Sequence, residues 1–234
     1  MVNAQMLNSK WFGYTFLAFG LLVQVVTYLI SNSLSPHSLI HLSFISGCLG
    51  VFSVVLTAQG NIWMYLFGFA QVITYTILCF QQRFYAEIAI NAYYFLTMVY
   101  GVYAWRKRLG AKGEGAEAKG ESLITPRRLP WGIFLLIALA TIVGSWLTGW
   151  GLAAWTDDTQ PYLDAYTTVP ALVAQVLMIL VYREHWFLWL AVDLFSVVLW
   201  LRAGDYSLAA LYAFWCLNCL YGLYRWRSLG ISKV

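Results

Sequence analysis

The 234-residue chain is 61% apolar and only 10% charged, with a mean hydropathy of +0.68, which excludes the surface of an ordinary soluble domain. Fourteen Lys and Arg against ten Asp and Glu leave a formal charge of +4, a balance that on its own would suit an anionic partner. The basic residues sit between apolar stretches, so the charge reports membrane topology and requires no nucleic acid.

Eight segments predict spanning helices, at roughly 11–30, 38–58, 62–80, 85–105, 131–150, 168–182, 186–201 and 206–226. About 20 apolar residues of helix cross about 30 Å of hydrocarbon with every backbone polar group satisfied inside the segment. With the loop after Trp105 in the cytoplasm, Lys10, Arg106, Lys107, Arg108, Lys112, Lys119, Arg127, Arg128, Arg183, Arg225, Arg227 and Lys233 fall inside, and only Arg83 and Arg202 outside. That bias predicts a multi-pass membrane protein with an even number of spans and both termini cytoplasmic.

The first span carries Gln24 and Tyr28, read as interhelical hydrogen-bonding groups. Lys10 alone precedes a long apolar run, which reads as a retained helix rather than a cleaved leader. His37 and His41 follow one turn apart; the spacing suits a metal or haem, but no third ligand cluster accompanies it, and a membrane-interface role is the simpler reading. Gln59-Gly60-Asn61 predicts a tight turn. The third span carries Trp63, Gln71 and Tyr75, and the fourth Asn91, Tyr93, Tyr94 and Tyr100. Residues 106–130, RKRLGAKGEGAEAKGESLITPRRLP, have glycines, mixed charge and no apolar face, and predict a flexible cytoplasmic linker. The fifth span is expected to be a connector. After it, AAWTDDTQPYLDAY, with Asp157, Asp158 and Asp164, reads either as an acidic mouth for a cationic solute or as a solvated loop. The last three spans carry Pro170 and Gln175; Trp186, Trp189 and Asp193; and Tyr212, Trp215 and Asn218. All four cysteines, Cys48, Cys79, Cys216 and Cys219, lie in predicted spans, where helical spacing favours packing over redox or metal chemistry.

An internal duplication underlies this order. A shift of 121 lays YAEIAINAYYFLTMVYGVYAWR, from Tyr85, on YSLAALYAFWCLNCLYGLYRWR, from Tyr206, with nine identities in 22 residues. The preceding helix repeats more faintly, Asn61-Ile62-Trp63 against Glu184-His185-Trp186 at an offset of 123. The expected fold is all-α: an extra N-terminal helix, a three-helix bundle, a connector and a second three-helix bundle. Its divisions are 1–37, 38–105, the linker 106–130, the connector and external loop 131–167, and 168–234. A directly fused odd-numbered repeat would be inverted; one inserted span restores the orientation and gives a parallel repeat, with the substrate pathway expected between the halves.

No catalytic constellation is visible, so no enzyme is expected. Asn91, Tyr94, Met98, Gly101 and Trp105 share one helical face, and Tyr212, Trp215, Asn218, Gly222 and Trp226 share another. Interfacial anchoring accounts for Trp105 and Trp226. For Asn91 and Asn218, interhelical packing and ligand contact both stand, since a carboxamide inside a bilayer needs partners. Asp193 is the one acidic residue deep in a predicted span, and either a structural hydrogen bond or a site role explains it. Rings, amides and a carboxylate together suit a flat, cationic, hydroxyl-bearing molecule.

NIWMYLFGFAQVITYTILCFQQRFYAEIAINAYYFLTMVYGVYAW and WFLWLAVDLFSVVLWLRAGDYSLAALYAFWCLNCLYGLYRW resemble the two halves of the PnuC family of bacterial nicotinamide riboside transporters, over roughly residues 38–230. The resemblance implies a three-plus-one-plus-three core similar to that of SWEET sugar transporters. It also implies facilitated diffusion of nicotinamide riboside, trapping by cytoplasmic phosphorylation, no cofactor, and homotrimers in the lipid bilayer. Substrate contacts carried over are Trp63, Gln71, Asn91, Tyr94, Trp186, Asp193, Trp215 and Asn218. Alternatives are a thiamine or riboflavin transporter of the same fold and, in a different class, a haem- or metal-binding membrane enzyme using His37 and His41.

Overall fold

The computed structural model describes residues 10–34, 40–82, 85–110, 125–158, 160–203 and 206–231. They form eight helices: α1 (Lys10–Leu34), α2 (Ile40–Gln59), α3 (Met64–Gln82), α4 (Tyr85–Gly110), α5 (Trp131–Trp155), α6 (Pro161–Ile179), α7 (His185–Ala203) and α8 (Tyr206–Ile231). Even the shortest, at 19 residues, rises about 28 Å, close to the thickness of a bilayer core. Among the described residues, α1, α2, α5 and α6 each contain a stretch long and apolar enough to cross a membrane by composition alone. The others carry Tyr, Trp, Asn and Asp on their faces, which lowers their hydropathy.

Several ends differ from expectation. Helix α4 runs past Trp105 to Gly110. Helix α6 starts at Pro161, well before Thr168, so Asp164 belongs to its first turn instead of an external loop. Proline at the first helical position and an acidic residue in the first turn are both start signals.

The chain divides into two compact units, residues 1–124 and 125–234. In the first, α1 packs on α2, α2 on α3 and α3 on α4; in the second, α5 packs on α6, α6 on α7 and α7 on α8. A single shift of 121 carries the start of every helix of the first unit onto its counterpart in the second: Lys10 onto Trp131, Ile40 onto Pro161, Met64 onto His185 and Tyr85 onto Tyr206. The helix expected to be extra therefore occupies the place in its unit that the connector occupies in the other. Only Thr27 and Thr148 are identical between α1 and α5, yet the buried positions Gly20 and Gln24 fall on the buried Thr141 and Ser145.

Backbone geometry fixes this register. The turn after α2 passes through Gly60 at φ 69, and the turn after α6 through Val181 at φ 62, residues 121 apart. Asn61 N–H donates to Leu56 O at 2.9 Å and Tyr182 N–H to Leu177 O at 2.9 Å, the same helix-ending bond in both units. Glycine adopts this left-handed conformation freely, whereas for a β-branched valine it is strained. The second turn is held by a strap. Arg127 N–H donates to Val181 O at 2.8 Å and Arg183 N–H to Arg127 O at 3.1 Å. Leu129 N–H donates to the buried Glu184 carboxylate at 3.1 Å, and the Arg127 guanidinium lies 4.7 Å from the Tyr182 ring centroid. Leu129 itself packs into a cluster with Ala174, Leu177 and Leu188.

Candidate functional site

In the first unit, the face of α3 toward α4 is built from Tyr65 and Gly68. Tyr65 crosses Trp105 edge to face at 5.5 Å, and any Cβ at Gly101 would strike the Tyr65 ring. Gly68 makes room for Met98, whose Sδ would lie 3.1 Å from a Cβ placed there. Asn91 is buried near the start of α4, and its Nδ2 has no acceptor among the described residues. Tyr94 is half-buried one turn on, 5.8 Å from the Tyr93 ring. Gln71 is half-buried; its carbonyl accepts from Thr74 Oγ1 at 2.9 Å and Ser46 Oγ at 3.5 Å.

Trp63 stands apart from this group. It precedes α3, is 61% exposed, and its N–H donates to Asn61 Oδ1 at 3.0 Å in the turn. The register of 121 pairs Trp63 with Glu184 and Tyr65 with Trp186, so the offset of 123 inferred from the Trp63 and Trp186 identity does not hold in the backbone. The residue that occupies the place of Trp186 in the first unit is Tyr65.

In the second unit Trp186 rests on Gly222 and crosses Trp226 at 5.8 Å, with His185 4.5 Å from both rings. His185 Nδ1 lies 2.7 Å from Tyr182 O, which fixes the imidazole at the turn. Trp186 is 3% exposed, and its Nε1 finds no acceptor among the described residues. Two turns along α7, Asp193 is buried and accepts from the Cys219 thiol at 3.2 Å. Asn218 is buried beside Cys219 in sequence, and Trp215 is half-buried one turn before it, with Tyr212 edge to face at 4.9 Å and an Nε1 that lacks an acceptor among the described residues. Asp193 of α7 thus meets Cys219 of α8, the helix that also carries Trp215 and Asn218, and Trp186 closes the end of the pair next to the turn.

Sequence reasoning missed two members of these groups. Cys219 reads as a packing residue until α7 and α8 are brought together, and Tyr65 is hidden by the neighbouring tryptophan. His41 accounts for itself differently from a metal ligand: its Nδ1 lies 3.0 Å from the Tyr28 hydroxyl, joining α1 to α2. His37 lies outside the described residues, as do the side chain of Cys79 and residue Arg83. Among the described residues no three His, Cys, Asp or Glu side chains gather in metal-binding geometry, and Cys48, Cys216 and Cys219 are free thiols.

Residues 40–228 match a family model described as nicotinamide mononucleotide transporter. The chain is 34% identical over 202 residues to a protein of Neisseria mucosa named nicotinamide riboside transporter PnuC, an alignment covering 80% of this chain and 72% of that one. It is 33% identical over 224 residues to the Haemophilus influenzae protein of the same name, covering 94% and 92%. A solved structure, described as the crystal structure of the vitamin B3 transporter PnuC, superposes with a TM-score of 0.75 at 30% identity, over 95% of this chain and 93% of that one.

Proposed function

Because this chain belongs to the nicotinamide mononucleotide transporter family, we propose that it carries nicotinamide riboside across a bacterial inner membrane. It is a multi-pass membrane transporter and not an enzyme. The observation that carries the substrate is the identity of 33% over 94% of the chain with a protein named for nicotinamide riboside. The residues fit that chemistry: Tyr94 and Trp215 offer ring faces for a pyridinium, and Gln71, Asn91 and Asn218 offer carboxamides for a carboxamide and ribose hydroxyls. Asp193 adds a carboxyl group to the second unit's share of these residues. Trp186, enclosed against Gly222 and Trp226, serves more as a support for this group than as a contact, and Trp63 is left out of it.

The reading extends to mechanism. Each unit holds four helices, so the chain completes an even number of crossings per repeat, which supports a parallel repeat with a core like that of SWEET transporters. Movement is by alternating access and facilitated diffusion, the ligand is trapped by phosphorylation in the cytoplasm, both termini are cytoplasmic, and the assembly is a homotrimer.

The test is uptake into liposomes holding the purified protein. Saturable, gradient-driven entry of nicotinamide riboside, undiminished by excess thiamine or riboflavin, is the expected result. Entry of thiamine or riboflavin in its place changes the vitamin; entry of none of the three overturns the proposal.

A further inference from the structure

We propose that Asp193 makes the site selective for ligand charge, favouring a cationic pyridinium nucleoside over an uncharged one of the same shape. The inference rests on the transport reading above and specifies which feature of the substrate the second unit reads.

Asp193 is 3% exposed within α7, and its hydrogen bond is to a thiol, the weakest donor among side chains that donate to carboxylates. The Arg183–Glu184 ion pair lies at the turn and not in the helix interior. A charged carboxyl group inside a membrane-spanning helix is costly, and a thiol returns little of that cost.

A purely structural role would account for the residue if the helix pair needed it. The first unit argues against this need. In the register of 121, Asp193 falls on Val72 and Cys219 on Met98, both buried and both apolar. The same pair of helices, with the same Gly101 and Gly222 seats, is built there with no carboxylate at that level. Asp193 is therefore a departure that the fold does not require, in the unit where Trp215 precedes its partner Cys219 by one turn of α8 and packs on Tyr212. A carboxylate in a low-dielectric setting stabilises a cation far more than the same group would in water. An uncharged ring gains the stacking alone.

The experiment measures binding of nicotinamide riboside and of its reduced, uncharged dihydropyridine form to the full-length protein in detergent. Wild type is expected to prefer the cation by about tenfold, or about 1.4 kcal/mol. In Asp193→Asn the cation weakens to near parity while affinity for the uncharged form stays within about twofold, and Asp193→Glu recovers part of the preference. The double substitution Asp193→Val with Cys219→Met installs the residues that the first unit tolerates, so it keeps the test open where Asp193→Asn does not fold; it too is expected to lose the preference. Equal binding of both forms by wild type overturns the inference and leaves the transport reading intact. An equal loss of both ligands in Asp193→Asn, or a preference that survives in either variant, assigns Asp193 to structure and overturns it as well. Wild type binding neither form removes the transport reading itself, and this inference with it.

Discussion

The α3–α4 pair and the α7–α8 pair are two versions of one joint. Both seat an aromatic ring from the first turn of one helix on a glycine of the next, Tyr65 on Gly101 and Trp186 on Gly222, and both cross it with a tryptophan one turn later, Trp105 and Trp226. They diverge two turns deeper. The first unit fills that level with Val72 and Met98, and the second with Asp193 and Cys219. The ring on its glycine is what the fold keeps, and the level beneath it is where the copies are free to differ.

The sharpest way to break the comparison is to move the carboxylate. Val72→Asp puts an acid at the matching depth of the first unit, where Met98 supplies no thiol hydrogen in place of Cys219. The substitution is expected to cost about 2.5–3.5 kcal/mol and to show as a lower yield of monodisperse protein and a lower thermal midpoint. The opposite exchange, Asp193→Val, is expected to leave the thermal midpoint almost unchanged while altering ligand preference. A first unit that accepts Val72→Asp without loss would mean that the two levels are equivalent and that their difference carries no meaning.

A smaller effect tests the shared part. A methyl group at Gly222 collides with the Trp186 indole, which is already enclosed by His185 and Trp226. Gly222→Ala is expected to destabilise the protein by about 1–3 kcal/mol through overpacking and to reduce uptake. Removing the ring with Trp186→Leu in the Gly222→Ala background is expected to recover part of the loss, giving a coupling of about 0.5–3 kcal/mol in the double-mutant cycle. Gly101→Ala with Tyr65→Leu is expected to follow the same pattern. Additivity in either unit would count against the seat.

Composition made the eight helices legible, and the nine identities between α4 and α8 made the duplication legible. The pairing of α1 with α5 was hidden because most of their side chains are exposed. A lipid-facing position asks only for an apolar residue, so sequence drifts while length and two shared buried positions persist. The turn after α6 was hidden for another reason: Val181 adopts a conformation that glycine normally announces, and the strap from Arg127 and Leu129 that holds it is set by contacts across the fold. Burial of Asp193 followed from its place in an apolar run, but its thiol partner sits on another helix, 26 residues away.

Trp63 is the site residue for which sequence and backbone part company, and it yields the smallest expected effect. Matching tryptophan to tryptophan placed it opposite Trp186, but the turn geometry places it opposite Glu184, and it is 61% exposed outside the α3–α4 packing. Trp63→Ala is therefore expected to change thermal stability by less than about 0.5 kcal/mol, as surface substitutions usually do, and to leave the Kd for nicotinamide riboside within about twofold. Tyr65→Ala, two residues on, removes the ring from the Gly101 seat and is expected to cost about 3 kcal/mol or more, in the range of buried aromatic truncations. If the order of these two effects were reversed, the identity-based offset of 123 would describe the protein better than the backbone register of 121, and Trp63 would return to the binding group.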